Sequence, residues 1–291
     1  MAIGIQTPRQ TVNVLGIETA YYRLRPSQVS TMAKPVAVLM HGGAPGACSD
    51  LNWFRNVQPL VDAGYEVIAY DQPGFGHSAP AGDHSIEFRY RHAVATVKEL
   101  APGPVHLVGN SIGGLLASLI VLRGEAGDRV RSLTLAAPFP FFDMPASIAG
   151  RLATHRTRLA GIEQTFDSVR AVCLNTFHQP AQVTDDIVRL RLSMLQGANW
   201  QSYRERLAAS RQFVQDGVRD AVLDIPTLMV WGLNDNSLPH EIGVAAMSHF
   251  SDARFLFLPH CGHWPQTEQS DAFNCAMLDF MQTQDEAMGH Q

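Results

Sequence analysis

Residues 105–115 read VHLVGNSIGGL, and they place Ser111 between two glycines, Gly109 and Gly113. An apolar run typical of a buried strand leads into the serine, and an apolar run typical of a buried helix follows it. This is the context that a G-x-S-x-G nucleophile turn requires. Such a turn forces the serine into a strained backbone conformation with its hydroxyl above the sheet, and side chains at the glycine positions would collide across it. The alternative is a serine that only caps the helix, with glycines for packing.

The fold is indicated by strand-like apolar runs that alternate with helical segments. Besides the run before Ser111, the strand-like runs cover residues 36–43, 67–74, 130–138, 226–232 and 254–260. Helical patterns cover residues 50–63, 85–100 and 112–123. Continuous apolar strands are buried on both faces, as in parallel sheets, so the pattern predicts an α/β fold with a mostly parallel, doubly wound sheet. Residues 11–16 and 18–25 predict an antiparallel edge hairpin, with Gly16 near its turn.

The strand rhythm stops between residues 141 and 222. Helical patterns replace it there, over residues 166–177, 185–195 and 203–216. We expect this insertion to be a helical cap over the carboxyl edge of the sheet, where open α/β sheets bind ligands. The expected domain organisation is a core of residues 1–140 and 223–291, with the cap formed by residues 141–222.

A base and an acid follow the two last predicted strands, in the chain order serine, aspartate, histidine. Asp235 comes after the strand at 226–232, and His263 comes after the strand at 254–260. A serine hydroxyl needs such a base to remove its proton. Each residue also has a structural interpretation, as a turn aspartate or a loop histidine. The alternatives left open nearby are Asp224, Asn234, Asn236 and His260.

An oxyanion hole is predicted in the loop after the first central strand, MHGGAPG at residues 40–46. Glycines there allow backbone amides to approach a substrate closely. The expected donors are the amides of Gly43 and of Ile112, the residue after the serine, since a helix N-terminus offers free N–H groups.

Composition narrows the class of protein. The chain has 291 residues, 46% of them hydrophobic, with a formal net charge of −5 and no basic run, so we expect neither a nucleic-acid nor a membrane partner. No signal peptide or membrane-length apolar segment is recognisable. The four cysteines lack metal or disulfide spacing, which predicts free thiols and a cytoplasmic location. The HxxH pair at 260–263 has no further ligands nearby, so we expect no metal.

Taken together, these motifs resemble the meta-cleavage product hydrolases, which are α/β-hydrolases that cleave C–C bonds in bacterial aromatic catabolism. The resemblance rests on HGGAPGA (41–47), YDQPGFGHS (70–78), GNSIGG (109–114), VWGLNDNSLP (230–239) and HCGHW (260–264), with Asn52 and Arg55-Asn56 between the first two. It extends over nearly the whole chain. In the first motif, Ala44 stands where the family commonly has a third glycine.

The resemblance implies roles for particular residues. Ser111, Asp235 and His263 would form the catalytic triad. The other implied substrate contacts are Asn52 and Asn110 at the dienoate end, Gly42 in the oxyanion loop, Trp264 beside the base, and Arg191 as ligand of the substrate carboxylate, with Arg189 as its rival on the same helix. A guanidinium suits this task because it binds a carboxylate bidentately.

The implied substrate is a 2-hydroxy-6-oxo-hexa-2,4-dienoate, which is hydrolysed to 2-hydroxypenta-2,4-dienoate and a carboxylic acid without a cofactor. Candidates for the pocket of the C6 substituent are Phe139, Phe141, Phe142, Ile112 and Trp200, although core packing is the favoured interpretation of PFPFF. A homo-oligomer is a further implication. The alternatives are a carboxylesterase or lactonase with the same triad, and a hydrolase-like receptor that binds a ligand without turnover.

Overall fold

The computed structural model describes residues 3–27, 34–208 and 216–289. Within them lies one eight-stranded sheet formed by β1 (Gln10–Val14), β2 (Ile17–Leu24), β3 (Val36–Met40), β4 (Val67–Tyr70), β5 (Val105–Asn110), β6 (Val130–Ala136), β7 (Thr227–Gly232) and β8 (Ala253–Leu258). The strand order is β1-β2-β4-β3-β5-β6-β7-β8. Strands β1 and β2 form the antiparallel hairpin and β2 is antiparallel to β4, whereas β4, β3, β5, β6, β7 and β8 are parallel. The predicted α/β fold with a mostly parallel sheet is confirmed.

Helices flank the sheet on both faces, and further helices form an insertion between β6 and β7. They are α1 (Ser49–Trp53), α2 (Val57–Asp62), α3 (Ile86–Leu100), α4 (Ile112–Leu122), α5 (Ala149–Ala160), α6 (Phe166–Thr176), α7 (Asp185–Ser193), α8 (Gly197–Ala208), α9 (Glu241–Ala246), α10 (Pro265–Glu268) and α11 (Ser270–Gly289). Alternate residues of β3 enter two separate cores: Val38 and Met40 pack with α3 and α4, and Ala37 and Leu39 pack with α11. Both faces of the strand are therefore buried, which explains its unbroken apolar sequence.

The register aligns the carboxyl ends of the central strands. Met40 of β3 lies opposite Gly109 of β5, and Asn110 lies opposite Ala136 of β6. Because these strands are parallel, the loops that follow them emerge at one edge of the sheet. That edge carries the oxyanion loop and Ser111.

The predicted helix over residues 50–63 is wrong as a single element. It is divided into α1 and α2, with a break between Trp53 and Val57. Pro59 has no N–H to bond the carbonyl of Arg55, and this carbonyl accepts a hydrogen bond from Asn274 Nδ2 instead (2.9 Å). The interruption thus ties α1 and α2 to the C-terminal helix.

Helices α5 to α8 lie between β6 and β7 and are called the helical insertion below. Helices α6 and α7 match the predicted segments closely, whereas α5 was not predicted. Of the predicted helix over 203–216, the part up to Ala208 belongs to α8, and residues 209–215 lie outside the described residues. The insertion has its own apolar cluster, which also contains Cys48, Leu51 and Trp264 of the core. No helix in the described part of the chain has the length and apolarity needed to cross a membrane.

Candidate active site

Ser111 occupies the turn between β5 and α4 with a strained backbone, at φ 54° and ψ −120°. The turn is closed so tightly that a Cβ on Gly109 would lie 2.6 Å from the Gly113 carbonyl, and one on Gly113 would lie 2.1 Å from the Met40 carbonyl oxygen. The Ser111 side chain makes no capping hydrogen bond to α4. The hydroxyl therefore does not cap the helix, and Ser111 lines a cavity above the sheet.

His263 and Asp235 form a buried pair at the same edge. His263 Nδ1 lies 2.7 Å from Asp235 Oδ2, and the other carboxylate oxygen accepts the amides of Ser237 (2.7 Å) and Leu238 (2.9 Å). Two fixed amides hold the carboxylate, so it in turn holds the imidazole ring in one orientation. The alternatives Asp224, Asn234, Asn236 and His260 are all exposed.

The histidine loop is also fastened to the helical insertion. The amide of His263 donates to the Thr176 carbonyl at the end of α6 (2.8 Å). The side chain of Glu268 is buried and accepts hydrogen bonds from both segments. In the His263 loop it accepts the amide of Gly262 (2.5 Å). In the segment after α6 it accepts the amides of His178 (2.5 Å) and Gln179 (3.2 Å). One carboxylate therefore joins the loop that carries His263 to the insertion. Glu268 was not among the site residues predicted from the sequence.

The predicted oxyanion donors lie side by side. A Cβ on Gly43 would lie 3.1 Å from the side-chain atom Ile112 Cγ1, so the two residues are neighbours. Among the described residues, neither the Gly43 amide nor the Ile112 amide has a hydrogen-bond acceptor. Both residues line the cavity, and amides without an acceptor are the kind of donor that a developing oxyanion requires.

A hydrogen-bonded network supports the oxyanion loop from beneath. His41 Nδ1 lies 2.7 Å from the Gly42 carbonyl oxygen, and the Gln72 amide donates to His41 Nε2 (2.9 Å). Burial lowers the pKa of His41 to about 3, so the ring is neutral and its Nδ1 donates. Arg89 donates to the Gln72 side chain through Nε (3.1 Å) and Nη2 (2.5 Å), and its Nη2 would lie 3.5 Å from a Cβ on Gly43.

Two asparagines present unpaired polar atoms next to the serine. Asn52 Oδ1 accepts the Gly42 amide (3.3 Å), and Asn110 Nδ2 donates to the carbonyls of Ala136 (2.9 Å) and His263 (3.4 Å). Among the described residues, neither Asn52 Nδ2 nor Asn110 Oδ1 has a hydrogen-bond partner, and both atoms are buried. Both residues line the cavity with Gly42. Buried polar atoms are costly unless they are paired, so these two atoms at the cavity wall are available to a polar ligand.

The two candidate arginines have opposite environments. Arg191 is fully buried; its Nε donates to the Pro45 carbonyl (2.9 Å), and its guanidinium lies 5.3 Å from the centre of the Trp264 ring. Its Nη2 is buried without a partner. Trp264 lines the cavity and Arg191 lies behind it. Arg189 is 62% exposed and paired with Asp185 at 3.4 Å.

The cavity encloses about 110 Å³ between the sheet edge and the helical insertion. Phe139 and Ile112 line it, as predicted for the C6 pocket, but Phe141, Phe142 and Trp200 do not. Phe141 and Phe142 are buried in the core against each other and against the His249 ring. The insertion contributes six further lining residues that the sequence analysis did not include: Leu152, His155, Arg156, Leu159, Val172 and Thr176.

The cavity wall contains no carboxylate, and its ionisable side chains are His155, Arg156 and His263. Burial, followed by the nearby charge of His263, lowers the pKa of His155 to about 4, so this ring is neutral near pH 7. No cluster of three metal-ligating side chains occurs within the described ranges. The four cysteines are unpaired, three of them buried. The site is therefore suited to an anionic organic ligand.

A mostly parallel sheet with a serine at a strand-to-helix turn and a histidine–aspartate pair at the same edge defines the class of α/β hydrolases. The sequence profile described as the alpha/beta hydrolase family matches residues 37–274.

Relatives and solved structures give the finer placement. The chain is 32% identical to the 2-hydroxy-6-oxononadienedioate/2-hydroxy-6-oxononatrienedioate hydrolase of Cupriavidus pinatubonensis, over 84% of this chain and 86% of the relative. It is 31% identical to the enzyme of that name from Escherichia coli, over 97% and 99%. The meta-cleavage product hydrolase of Pseudomonas fluorescens IP01 shares the fold, with a TM-score of 0.79 and 23% identity over 94% of this chain and 97% of that one. The chain therefore belongs to the alpha/beta hydrolase family and, within it, to the meta-cleavage product hydrolases.

Proposed function

We propose that this protein hydrolyses a C–C bond in a 2-hydroxy-6-oxo-hexa-2,4-dienoate, giving 2-hydroxypenta-2,4-dienoate and a carboxylic acid. The observation that carries the proposal is a set of three buried polar atoms that have no hydrogen-bond partner among the described residues: Asn52 Nδ2 and Asn110 Oδ1 at the cavity wall, and Arg191 Nη2 behind Trp264. An ordinary esterase needs the triad but not this set. The substrate carboxylate would accept a hydrogen bond from Arg191 Nη2, the oxygen on C2 would accept one from Asn52 Nδ2, and the 2-hydroxyl would donate to Asn110 Oδ1.

The chemistry assigns a step to each group. A proton first moves from the 2-hydroxyl to C5, with His263 as the shuttle and Asp235 as its support. The resulting 2-oxo group can then accept the electron pair that cleavage leaves on C5. Ser111 loses its proton to His263 and attacks the C6 carbonyl, and the amides of Gly43 and Ile112 stabilise the oxyanion.

Collapse of this intermediate breaks the C5–C6 bond. The dienolate departs and takes up, at its 2-oxygen, the proton that His263 removed from Ser111, and the acyl group remains on Ser111 as an ester. Water activated by His263 hydrolyses the ester and releases the carboxylic acid. Asn52 and Asn110 hydrogen-bond the oxygen on C2, and Arg191 binds the carboxylate. Trp264 and Gly42 contact the dienoate chain and position it. The overall reaction consumes one water molecule and needs no cofactor.

The proposal extends to the organisation of the molecule. Residues 141–222 act as a cap over a core of residues 1–140 and 223–291, because α5 and α6 supply cavity wall above the serine. The partner is a small dienoate rather than a nucleic acid or a membrane. We further propose a cytoplasmic location, in keeping with four unpaired cysteines, and a homo-oligomer.

The test is a direct comparison of two reactions. Purified protein is mixed with a yellow 6-alkyl or 6-phenyl 2-hydroxy-6-oxohexa-2,4-dienoate, and the loss of visible absorbance is followed. Hydrolysis of p-nitrophenyl acetate is measured in parallel. We expect rapid bleaching of the dienoate and slow hydrolysis of p-nitrophenyl acetate. Fast ester turnover with a stable yellow colour would identify a carboxylesterase, and binding without either reaction would identify a receptor.

A further inference from the structure

The peptide bond between Gly42 and Gly43 is held in one orientation by the His41 ring. His41 Nε2 accepts the Gln72 amide (2.9 Å), so the proton of the ring resides on Nδ1, which donates to the Gly42 carbonyl oxygen (2.7 Å). The C=O and N–H groups of a trans peptide point in opposite directions. The Gly43 N–H therefore points away from the buried ring, and Gly43 lines the cavity. The direction of this oxyanion donor thus depends on the side chain of His41.

Gln72 holds His41 at two points. Its backbone amide donates to the ring, and its side-chain Nε2 donates to the His41 carbonyl oxygen (2.5 Å). The first bond fixes the tautomer of the ring, and the second fixes the backbone where the oxyanion loop begins. The second bond requires that the nitrogen of the side-chain amide, rather than its oxygen, faces His41.

Arg89 of α3 selects this orientation of the Gln72 amide. Its Nε (3.1 Å) and its Nη2 (2.5 Å) both donate to Gln72 Oε1. A guanidinium has donors only, so it binds the oxygen of the amide and leaves the nitrogen for the His41 carbonyl. The guanidinium is buried, and it lies 5.1 Å from the centre of the Phe75 ring. Hydrogen bonds from a buried cation are stronger than those between neutral groups, so they fix the amide firmly.

We propose that Arg89 is a positioning residue of the oxyanion hole and acts through Gln72 and His41 on the Gly43 amide. This inference rests on the serine chemistry of the proposed function and does not depend on the identity of the substrate. Arg89 orients the Gln72 amide, which fixes His41. His41 in turn holds the Gly42 carbonyl, so that the Gly43 N–H is directed at the substrate oxygen before the reaction begins. Such a preorganised donor stabilises an oxyanion without a cost of reorganisation.

The test measures hydrolysis of p-nitrophenyl acetate, which uses the oxyanion hole but not the ligands of the dienoate. Removal of an oxyanion donor lowers kcat about 100-fold to 1000-fold, so a misdirected donor in Arg89→Met should lower it about tenfold to 100-fold. We expect KM to stay within about twofold, because the lost interaction belongs to the transition state. The matched control is Arg91→Met, which removes an equal charge from an exposed residue of α3 and should leave kcat within about twofold.

A double-mutant cycle tests whether Arg89 acts through Gln72. Gln72→Met removes the donor to the His41 carbonyl and keeps the backbone amide. This variant and the double variant with Arg89→Met should have the same kcat within about twofold, because the second substitution breaks a connection that is already broken. Thermal unfolding identifies variants that do not fold, and Gln72→Met carries the test if Arg89→Met is one of them.

A trifluoromethyl ketone gives a second readout that a merely structural role would not change. It forms an adduct with Ser111 whose anionic oxygen occupies the oxyanion hole. In a folded Arg89→Met, its inhibition constant should rise in parallel with the loss of kcat/KM for the ester, because both measure stabilisation of an oxyanion.

A folded Arg89→Met with the kcat and the ketone inhibition constant of Arg91→Met overturns the inference. So do additive losses in the double-mutant cycle, because Arg89 would then act by a route that does not include Gln72. Bleaching of the dienoate by the wild-type protein tests the proposed function separately. If the wild-type protein hydrolyses the ester and leaves the dienoate yellow, the C–C hydrolase fails, whereas the ester and the ketone still decide this inference.

Discussion

Arg191 provides the sharpest test of how the site binds its substrate. Its side chain is fully buried, and its Nη2 has no partner among the described residues. A buried cation with an unused donor is costly, and the proposed substrate carboxylate would satisfy it. Replacing it by glutamine removes the charge and keeps a polar side chain of moderate size. We expect Arg191→Gln to lose binding of the carboxylate.

The magnitude follows from the burial of the pair. Removing one partner of a desolvated, charge-assisted contact costs about 2–4 kcal/mol, which corresponds to roughly 30-fold to 900-fold in kcat/KM. The substitution also lowers the stability of the folded protein, because Arg191 donates to the Pro45 carbonyl and packs against Trp264. Thermal unfolding of each variant measures this loss separately.

The assay uses the same two reactions as before and a control on the same helix. The dienoate reports carboxylate binding, whereas p-nitrophenyl acetate needs only Ser111, His263 and the oxyanion hole. Arg189→Gln removes an equal charge from an exposed residue of α7, and surface pairs contribute at most about 1 kcal/mol. We expect a large loss for the dienoate in Arg191→Gln alone, with ester turnover nearly unchanged in both variants.

Equal losses in the two variants would refute this reasoning. So would a parallel loss of dienoate and ester turnover in a folded Arg191→Gln, because the arginine would then support the catalytic geometry rather than the carboxylate. In either case the carboxylate ligand would have to be sought elsewhere on the cavity wall.

Two further predictions concern buried carboxylates. Burial raises the pKa of Asp71 from 3.8 to about 6, so the folded protein favours the neutral carboxyl group. Protonation of Asp71 therefore stabilises the fold; this stabilisation is complete below pH 3.8 and is lost as the pH rises through 6. When the pH is lowered from 7 to 4, the free energy of unfolding of the wild-type protein should therefore rise by up to about 3 kcal/mol relative to that of Asp71→Asn. Both values are measured by urea denaturation. A difference between the two proteins that does not change with pH would contradict this prediction. Glu268→Gln should lower the free energy of unfolding by about 2–3 kcal/mol and reduce kcat, because an NH2 group replaces one of the two carboxylate oxygens and the amides bound to that oxygen lose their acceptor. Exposed Glu241→Gln should cost less than about 1 kcal/mol. Equal stability of the two glutamine variants would show that Glu268 does not hold this loop.

The parallel strands could be predicted because each is buried on both faces and therefore has an unbroken apolar sequence. The turn at Ser111 could be predicted because its glycines are required by contacts within a few residues of chain. The C-terminal helix was missed although it has a signal: Phe273, Met277, Phe280 and Met281 have helical spacing and are all buried.

The cavity wall from α5 could not be predicted in the same way. Leu152 is the only residue of this helix that is fully buried, and the helix contains three arginines and one histidine, so its sequence does not have the apolar content of a core helix. Which of its polar residues face Ser111 depends on how the insertion packs over the sheet, through contacts such as the Tyr203 hydroxyl on the Leu159 carbonyl. Such contacts join residues far apart in the chain and leave no local pattern.

Product analysis with the wild-type protein and Ser111→Ala tests the central claim most directly. Each protein is incubated with a 6-alkyl 2-hydroxy-6-oxohexa-2,4-dienoate, and both products are quantified by chromatography. The account predicts that the wild-type protein releases one equivalent each of 2-hydroxypenta-2,4-dienoate and of the carboxylic acid for every equivalent of substrate consumed. It predicts that Ser111→Ala binds the dienoate and forms neither product. Consumption of substrate without these products, or equal product formation by Ser111→Ala, would contradict a serine-dependent C–C bond hydrolysis.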